Sequence, residues 1–306
     1  MKSKALIFPG QGSQYVGMGK ELRDNFSIAR QVFEEADDTL RFSISGLCFQ
    51  GPEEALKLTE NTQPAILTTS IAAHKVLQSE KGVMPHFAAG HSLGEYSALV
   101  AAGAFTFADA VRIVRLRGRF MQEAVPVGEG AMAAILGMER EKIERLCEEV
   151  SEGEVLSPAN FNCPGQIVIA GHSAAVQRAV ERVKQEGKKA VLLPVSAPFH
   201  SPLMKPAGVR LQKEMEGVAV KELSIPVVTN VEAEPNRSEK RVKELLVAQV
   251  SSPVRWEESM RKMIDEGIEQ VLEIGPGKVL SGLMKRIDSR VETGNLEDLK
   301  TLKKLN

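Results

Sequence analysis

The stretch Gly90-His91-Ser92-Leu93-Gly94 limits the folds open to this chain more than any other. A β-like run, His86-Phe87-Ala88-Ala89, leads into it, and a helical run from Glu95 to Ala102 leaves it. Strand, tight turn and helix in that order give a G-x-S-x-G its meaning, because they expose a serine at the top of a sheet. The glycines allow a sharp turn free of Cβ clashes, and the helix start directs unpaired N–H groups at developing negative charge. The bland alternative is a polar loop between two core elements; the flanks favour a nucleophile.

The rest of the chain supplies a setting for such a turn. Residues 4–8 read as a buried strand ending in Pro9-Gly10-Gln11-Gly12-Ser13-Gln14, with helical runs near 17–25 and 28–40. A further helix covers 64–79, where Ile66, Ser70, Ala73 and Leu77 share a face, and another runs from Phe107 to Ala124. This alternation predicts an α/β fold with a mainly parallel sheet. Residues 126–194 break the pattern. Gly130 to Leu136 is strand-like, 139–151 helical, and Glu154–Phe161 and Gln166–Gly171 resemble strands joined by a Cys163-Pro164-Gly165 turn. A helix over 173–186 and a strand over 189–193 complete the order βαββαβ of a ferredoxin-like unit. The expected layout is a large subdomain of 1–125 and 195–306 with an inserted small one of 126–194, and a site between them. In the C-terminal part, Ser224–Val231 and Val271–Ile274 read as strands and 238–250 as helix, and the last fifteen residues are polar.

Composition excludes several functions. A formal net charge of −1 gives no general attraction to nucleic acid or acidic membranes. The three cysteines, Cys48, Cys147 and Cys163, lie far apart, which suggests neither a disulfide framework nor a metal site. The apolar run after Lys4 is too short for a signal peptide, and no segment has the length to span a bilayer. A cytoplasmic protein is expected, and nothing calls for more than a monomer.

A serine hydroxyl needs a base, and there are five histidines to choose from. His91 adjoins Ser92 and should point away from it; His74 lies in a helix, His86 opens a strand and His172 ends one. His200 remains, in the proline-pinned loop Ser196-Ala197-Pro198-Phe199-His200-Ser201-Pro202 just after the inserted unit. No aspartate occurs between Asp109 and Asp265, and no glutamate stands out, so a Ser–His dyad with a neutral acceptor fits better than a triad. Leu93 N–H is one oxyanion donor by its place after the nucleophile, and Gly10-Gln11-Gly12 suits a second. That loop is no dinucleotide fingerprint, since Tyr15 stands where a third glycine belongs. Arg117 falls on the apolar face formed by Ala110, Ile113, Val114 and Met121, while Arg112, Arg115 and Arg119 lie opposite. A buried arginine requires a partner: either a structural ion pair or a substrate carboxylate held by the guanidinium fork.

Five segments together resemble the malonyl-CoA:acyl carrier protein transacylase family over nearly the whole chain. They are Phe8–Gln14, Gly90–Glu95, Arg115–Arg119, Phe199-His200 and Glu273–Gly277. The resemblance implies a hydrolase-like large subdomain and a ferredoxin-like small one. It implies that Ser92 is acylated, that His200 is the base and that Arg117 pairs with the malonyl carboxylate. It further implies that Gln11 and Leu93 N–H groups hold the oxyanion, and that the backbone carbonyl of Gln249 orients the histidine. Relatives with malonyl preference often carry His-Ala-Phe-His where this chain has Ser196-Ala197-Pro198-Phe199-His200; the retained Phe199 implies crowding against branched acyl groups. Malonyl-CoA and holo acyl carrier protein are the implied partners, with no metal or cofactor beyond the coenzyme A thioester as substrate. Arg182, Lys184, Lys188 and Lys189 are candidates for a basic rim facing an acidic carrier. A serine thioesterase on a similar scaffold and a carrier-binding module without catalysis are the alternatives.

Overall fold

The structure is a computed structural model that describes residues 2–195 and 197–305, so Ser196 of the loop before His200 lies outside the described residues. The first part of the chain runs β1 (Lys4–Phe8), α1 (Lys20–Asn25), α2 (Ser27–Leu40), α3 (Ile44–Gln50), α4 (Glu53–Lys57), α5 (Thr59–Lys81), β2 (Phe87–Gly90), α6 (Gly94–Ala101) and α7 (Phe107–Glu123). The middle runs β3 (Gly130–Leu136), α8 (Arg140–Val150), β4 (Leu156–Cys163), β5 (Gln166–His172), α9 (Ser173–Gln185) and β6 (Lys189–Leu192). The last part runs α10 (Lys205–Glu216), β7 (Val227–Val228), β8 (Pro235–Asn236), α11 (Glu239–Ser251), α12 (Trp256–Asp265), β9 (Gln270–Ile274), α13 (Val279–Ile287), β10 (Glu292–Leu296) and α14 (Leu299–Lys304).

Two sheets result. A six-stranded sheet has the order β10-β9-β1-β2-β7-β8, parallel except for β8. Its central strand alternates between two cores, as a strand with both faces covered must. Leu6 and Phe8 pack with Phe33, Ile66, Ile71 and Tyr96 on one side; Ala5 and Ile7 pack with Trp256, Met260, Leu283 and Met284 on the other. The second sheet, β4-β5-β3-β6, is antiparallel throughout. Ala133, Ile135 and Ile169 on one face pack against Ile143 and Leu146 of α8 and Val176, Val180 and Val183 of α9. Met132, Val168 and Ala170 on the other face join the core of the large sheet. The sheets are also tied through the backbone: Phe161 N–H donates to Val254 O at 2.9 Å, and Val254 N–H to Ala159 O at 2.8 Å.

Several expectations shift. The strand read over Ser224–Val231 shrinks to Val227–Val228, because Pro226 precedes it and the chain turns back through Thr229 to Glu234. Cys163 is the buried last residue of β4 rather than a turn residue, and burial raises its thiol pKa. The helix read over 64–79 starts at Thr59 and carries Pro64 inside. The polar last fifteen residues include an edge strand, β10, and a capped helix, α14.

Candidate active site

Three loops at the carboxyl edge of the parallel sheet converge, the place where open α/β sheets hold their ligands. Ser92 follows β2 at φ 51°, a left-handed conformation that costs a non-glycine residue energy and must be held by its surroundings. The flanking glycines provide clearance: a Cβ on Gly90 would lie 1.9 Å from the Gly94 carbonyl carbon, and one on Gly94 2.1 Å from Phe8 O. Asn230, just past β7, clamps the turn. Its Oδ1 accepts from Ser92 N–H at 2.7 Å and its Nδ2 donates to Gly90 O at 2.7 Å.

His200 is brought to the serine, with its Nε2 2.7 Å from Ser92 Oγ. Its Nδ1 lies 2.9 Å from the backbone carbonyl of Gln249 on α11. A carbonyl only accepts, so Nδ1 carries the proton and Nε2 presents a lone pair to the serine hydroxyl. Burial, reinforced by the Arg117 charge, pushes the His200 pKa down to about 3, which keeps the imidazole neutral near pH 7. His91 turns away, as expected: its Nε2 lies 2.8 Å from Asn162 Oδ1 and its ring tilts against Trp256.

Arg117 is 1 % exposed and forms no ion pair among the described residues. It is held by neutral oxygens instead: Nη1 donates to Gln63 Oε1 at 2.8 Å, and Nη2 to Gln249 Oε1 at 2.9 Å and to Ser92 Oγ at 3.1 Å. Its Nε is buried with no partner among the described residues. Of the two readings the sequence left open, the structural ion pair is therefore absent. A buried cation with spare donors beside a nucleophile can take an anion from outside.

These groups line a cavity of about 110 Å³ with Gln11, Leu93, Met132, Asn160, Leu193, Val195 and Phe199. Among the described residues, neither Gln11 nor Leu93 N–H meets an acceptor, so both are free to bind a developing oxyanion. A groove of about 200 Å³ continues outward past Gln11, His91, Asn160 and Leu193 toward Val279 and Leu283. The basic run lies away from this cavity. Lys189 pairs with Leu136 at the far end of β6, roughly 13 Å along the strand from Leu193, and Arg182 faces Glu186 at 3.5 Å.

Sequence reasoning gave no role to Glu95, Asn230 or Gln63. Glu95 and Asn230 were detectable only as polar residues beside apolar ones, a signal that acquires meaning once burial is known. Glu95 is 2 % exposed, and its Oε2 accepts from Asn230 N–H at 3.0 Å and Gln249 Nε2 at 2.8 Å.

The model of the family described as acyl transferase domain matches residues 5–298. The malonyl CoA-acyl carrier protein transacylase of Bacillus subtilis (strain 168) is 52% identical over 304 residues, covering 99% of this chain and 96% of that protein. The crystal structure of an acyl carrier protein S-malonyltransferase from Vibrio cholerae superposes with a TM-score of 0.97 at 44% identity, covering 99% of this chain and 100% of that one. A malonyl-transacylase solved in complex with a type II PKS acyl-carrier protein in its holo form superposes with a TM-score of 0.96 at 47% identity, covering 98% of each chain.

Proposed function

The chain belongs to the acyl transferase domain family, and on that premise we propose that it moves a malonyl group from malonyl-CoA to the phosphopantetheine thiol of acyl carrier protein. The observation that carries this reading is the buried Arg117 guanidinium, paired with no carboxylate among the described residues and bonded to the nucleophile's own oxygen. An esterase for neutral acyl groups has no use for that costly arrangement.

The reaction proceeds in two exchanges. Ser92 Oγ gives its proton to His200 Nε2 and attacks the thioester carbonyl, while Gln11 and Leu93 N–H groups receive the oxyanion. The Gln249 carbonyl holds the imidazolium through Nδ1, in the role a carboxylate plays in a triad. The tetrahedral intermediate collapses, the C–S bond breaks and His200 returns the proton to the departing coenzyme A thiolate. The carrier thiol then reverses each step. Arg117 holds the malonyl carboxylate through the spare Nε and the Nη2 N–H that Ser92 Oγ gives up on acylation, and Phe199 crowds the α-carbon so that branched units fit poorly.

Each exchange trades one activated acyl bond for another, so we assign the enzyme no metal or cofactor. All the side chains come from one chain, so a monomer suffices. The order β4-β5-β3-β6 with α8 and α9 supports a ferredoxin-like subdomain over 126–194. The parallel sheet with its elbow supports a hydrolase-like subdomain built from 1–125 and 195–306. Among the described residues no helix is long and apolar enough to cross a membrane; we place the protein in the cytoplasm.

Intact-protein mass spectrometry after brief exposure to malonyl-CoA tests the proposal. A malonyl adduct on the Ser92 peptide, discharged by holo carrier protein, supports it. Free malonate with no adduct indicates a thioesterase, and no reaction at all refutes the substrate assignment.

A further inference from the structure

Resting on the malonyl-transfer reading above, we infer that Glu95 is a positioning residue for acyl choice: through the Gln249 amide it fixes the Arg117 guanidinium that receives the substrate carboxylate. Glu95 lies in the first turn of α6, immediately after the elbow, and no cation lies within ion-pair range of it among the described residues. Its nearest side-chain partner is Gln249, whose amide lies between the carboxylate and the guanidinium. On one side Gln249 Nε2 donates to Glu95 Oε2 at 2.8 Å and to Ser92 O at 3.0 Å. On the other, Gln249 Oε1 accepts from Arg117 Nη2 at 2.9 Å.

An amide in this position has one good orientation. Turned over, its oxygen would face the carboxylate and the Ser92 carbonyl, and its NH₂ would face the guanidinium donors; every contact would be like against like. An ionised Glu95 can only accept, so it enforces the orientation that offers Arg117 an acceptor. A protonated Glu95 can donate, so its contact no longer enforces that orientation and the amide that anchors the guanidinium is held less firmly. Burial pushes the Glu95 pKa up to about 7, opposed by Asn230 N–H, Gln249 and the Arg117 charge. Arg117 on α7 is the charged group that reaches Glu95 from a neighbouring element; Tyr96 on α6 and His200 beyond Gln249 complete the titratable surroundings and stay neutral in this range.

The readout is the ratio of malonyl to acetyl loading on Ser92, measured by mass spectrometry in single turnovers with malonyl-CoA or acetyl-CoA. Effects on the Ser92–His200 pair cancel in this ratio, because both donors use it. For the wild-type enzyme the ratio should fall severalfold between pH 8 and pH 6, as Glu95 takes up a proton. In Glu95→Gln it should lie about tenfold lower at pH 8 and be flat with pH. Arg117→Ala should be low at every pH. A Glu95→Gln ratio that keeps the wild-type value and slope would overturn the inference, as would equal loss of both activities, which means that Glu95 only supports the fold. If Glu95→Gln fails to fold, the wild-type pH profile decides, a flat ratio counting against the inference. A wild-type enzyme that loads no malonyl group defeats the functional reading instead, so the two failures are distinct.

Discussion

The two sheets contribute to the site in different ways. The parallel sheet acts at its strand ends: Gln11 follows β1, Ser92 follows β2 and Asn230 follows β7. Each sits within three residues of the end of a buried strand, so its backbone is fixed from one side. The antiparallel sheet acts through its broad face, from which Met132 and Asn160 form a wall. Strand ends set atoms to within tenths of an ångström, as proton transfer and oxyanion binding require. A sheet face sets only volume and polarity. The elbow serine and the Gln11 loop therefore belong to the first sheet and the enclosing wall to the second, while His200 reaches the site on the loop after β6 and Arg117 on α7.

Substitutions can break this division. Ser92→Ala should abolish the acyl adduct, with a loss of at least about 10³-fold, and leave thermal unfolding near that of the parent. His200→Ala should come close to it. Arg117→Ala should depress malonyl loading about 100-fold, close to 2.7 kcal/mol, while acetyl loading changes less than about threefold; equal loss of both would remove its role in acyl choice. A pH series tests the partner that the β6–α10 loop brings to the elbow serine. With the His200 pKa lowered from 6.5 to about 3, the base-competent form is lost only as pH falls through that lower value. Ser92 modification by phenylmethanesulfonyl fluoride, a neutral reagent that does not call on Arg117, should thus show no inflection at pH 6.5, once normalised for reagent hydrolysis. The smallest effects should come from the wall. Leu193→Ala, at a half-buried position, should raise malonyl-CoA hydrolysis a few-fold and leave loading nearly unchanged. A loss there as large as at Ser92 would end the distinction.

How far each region could be read from sequence follows the same line. All six elements between 130 and 192 were legible, because their apolar periods are clear: Ile143, Leu146 and Cys147 on α8, and Val176, Ala179, Val180 and Val183 on α9. β10 was not, since Glu292-Thr-Gly-Asn-Leu296 buries only its last residue and owes its strand form to pairing with β9. The start of α5 was obscured for the opposite reason. Thr62, Gln63 and Thr68 are buried but polar, and their groups find partners inside the protein, as with Thr62 Oγ1 and Leu56 O at 2.6 Å. At the site, Ser92, His200 and Arg117 each carried a local anomaly: a glycine-framed turn, a proline-pinned loop, a charge on an apolar face. Glu95, Asn230 and Gln63 act through partners 54 to 154 residues away, which no local pattern encodes.

The backbone bonds between β4 and Val254 join the wall bearing Asn160 to the stretch that leaves Gln249. Those bonds stitch the chamber along one side, and among the described residues the groove past Gln11 and Leu193 leads out of it on another. If that groove is the passage for both, coenzyme A would depart by the doorway through which the carrier's arm arrives. Turn-taking would then be a matter of plumbing: neither thiol could enter until the other had cleared the passage, and a surplus of either one would plug it.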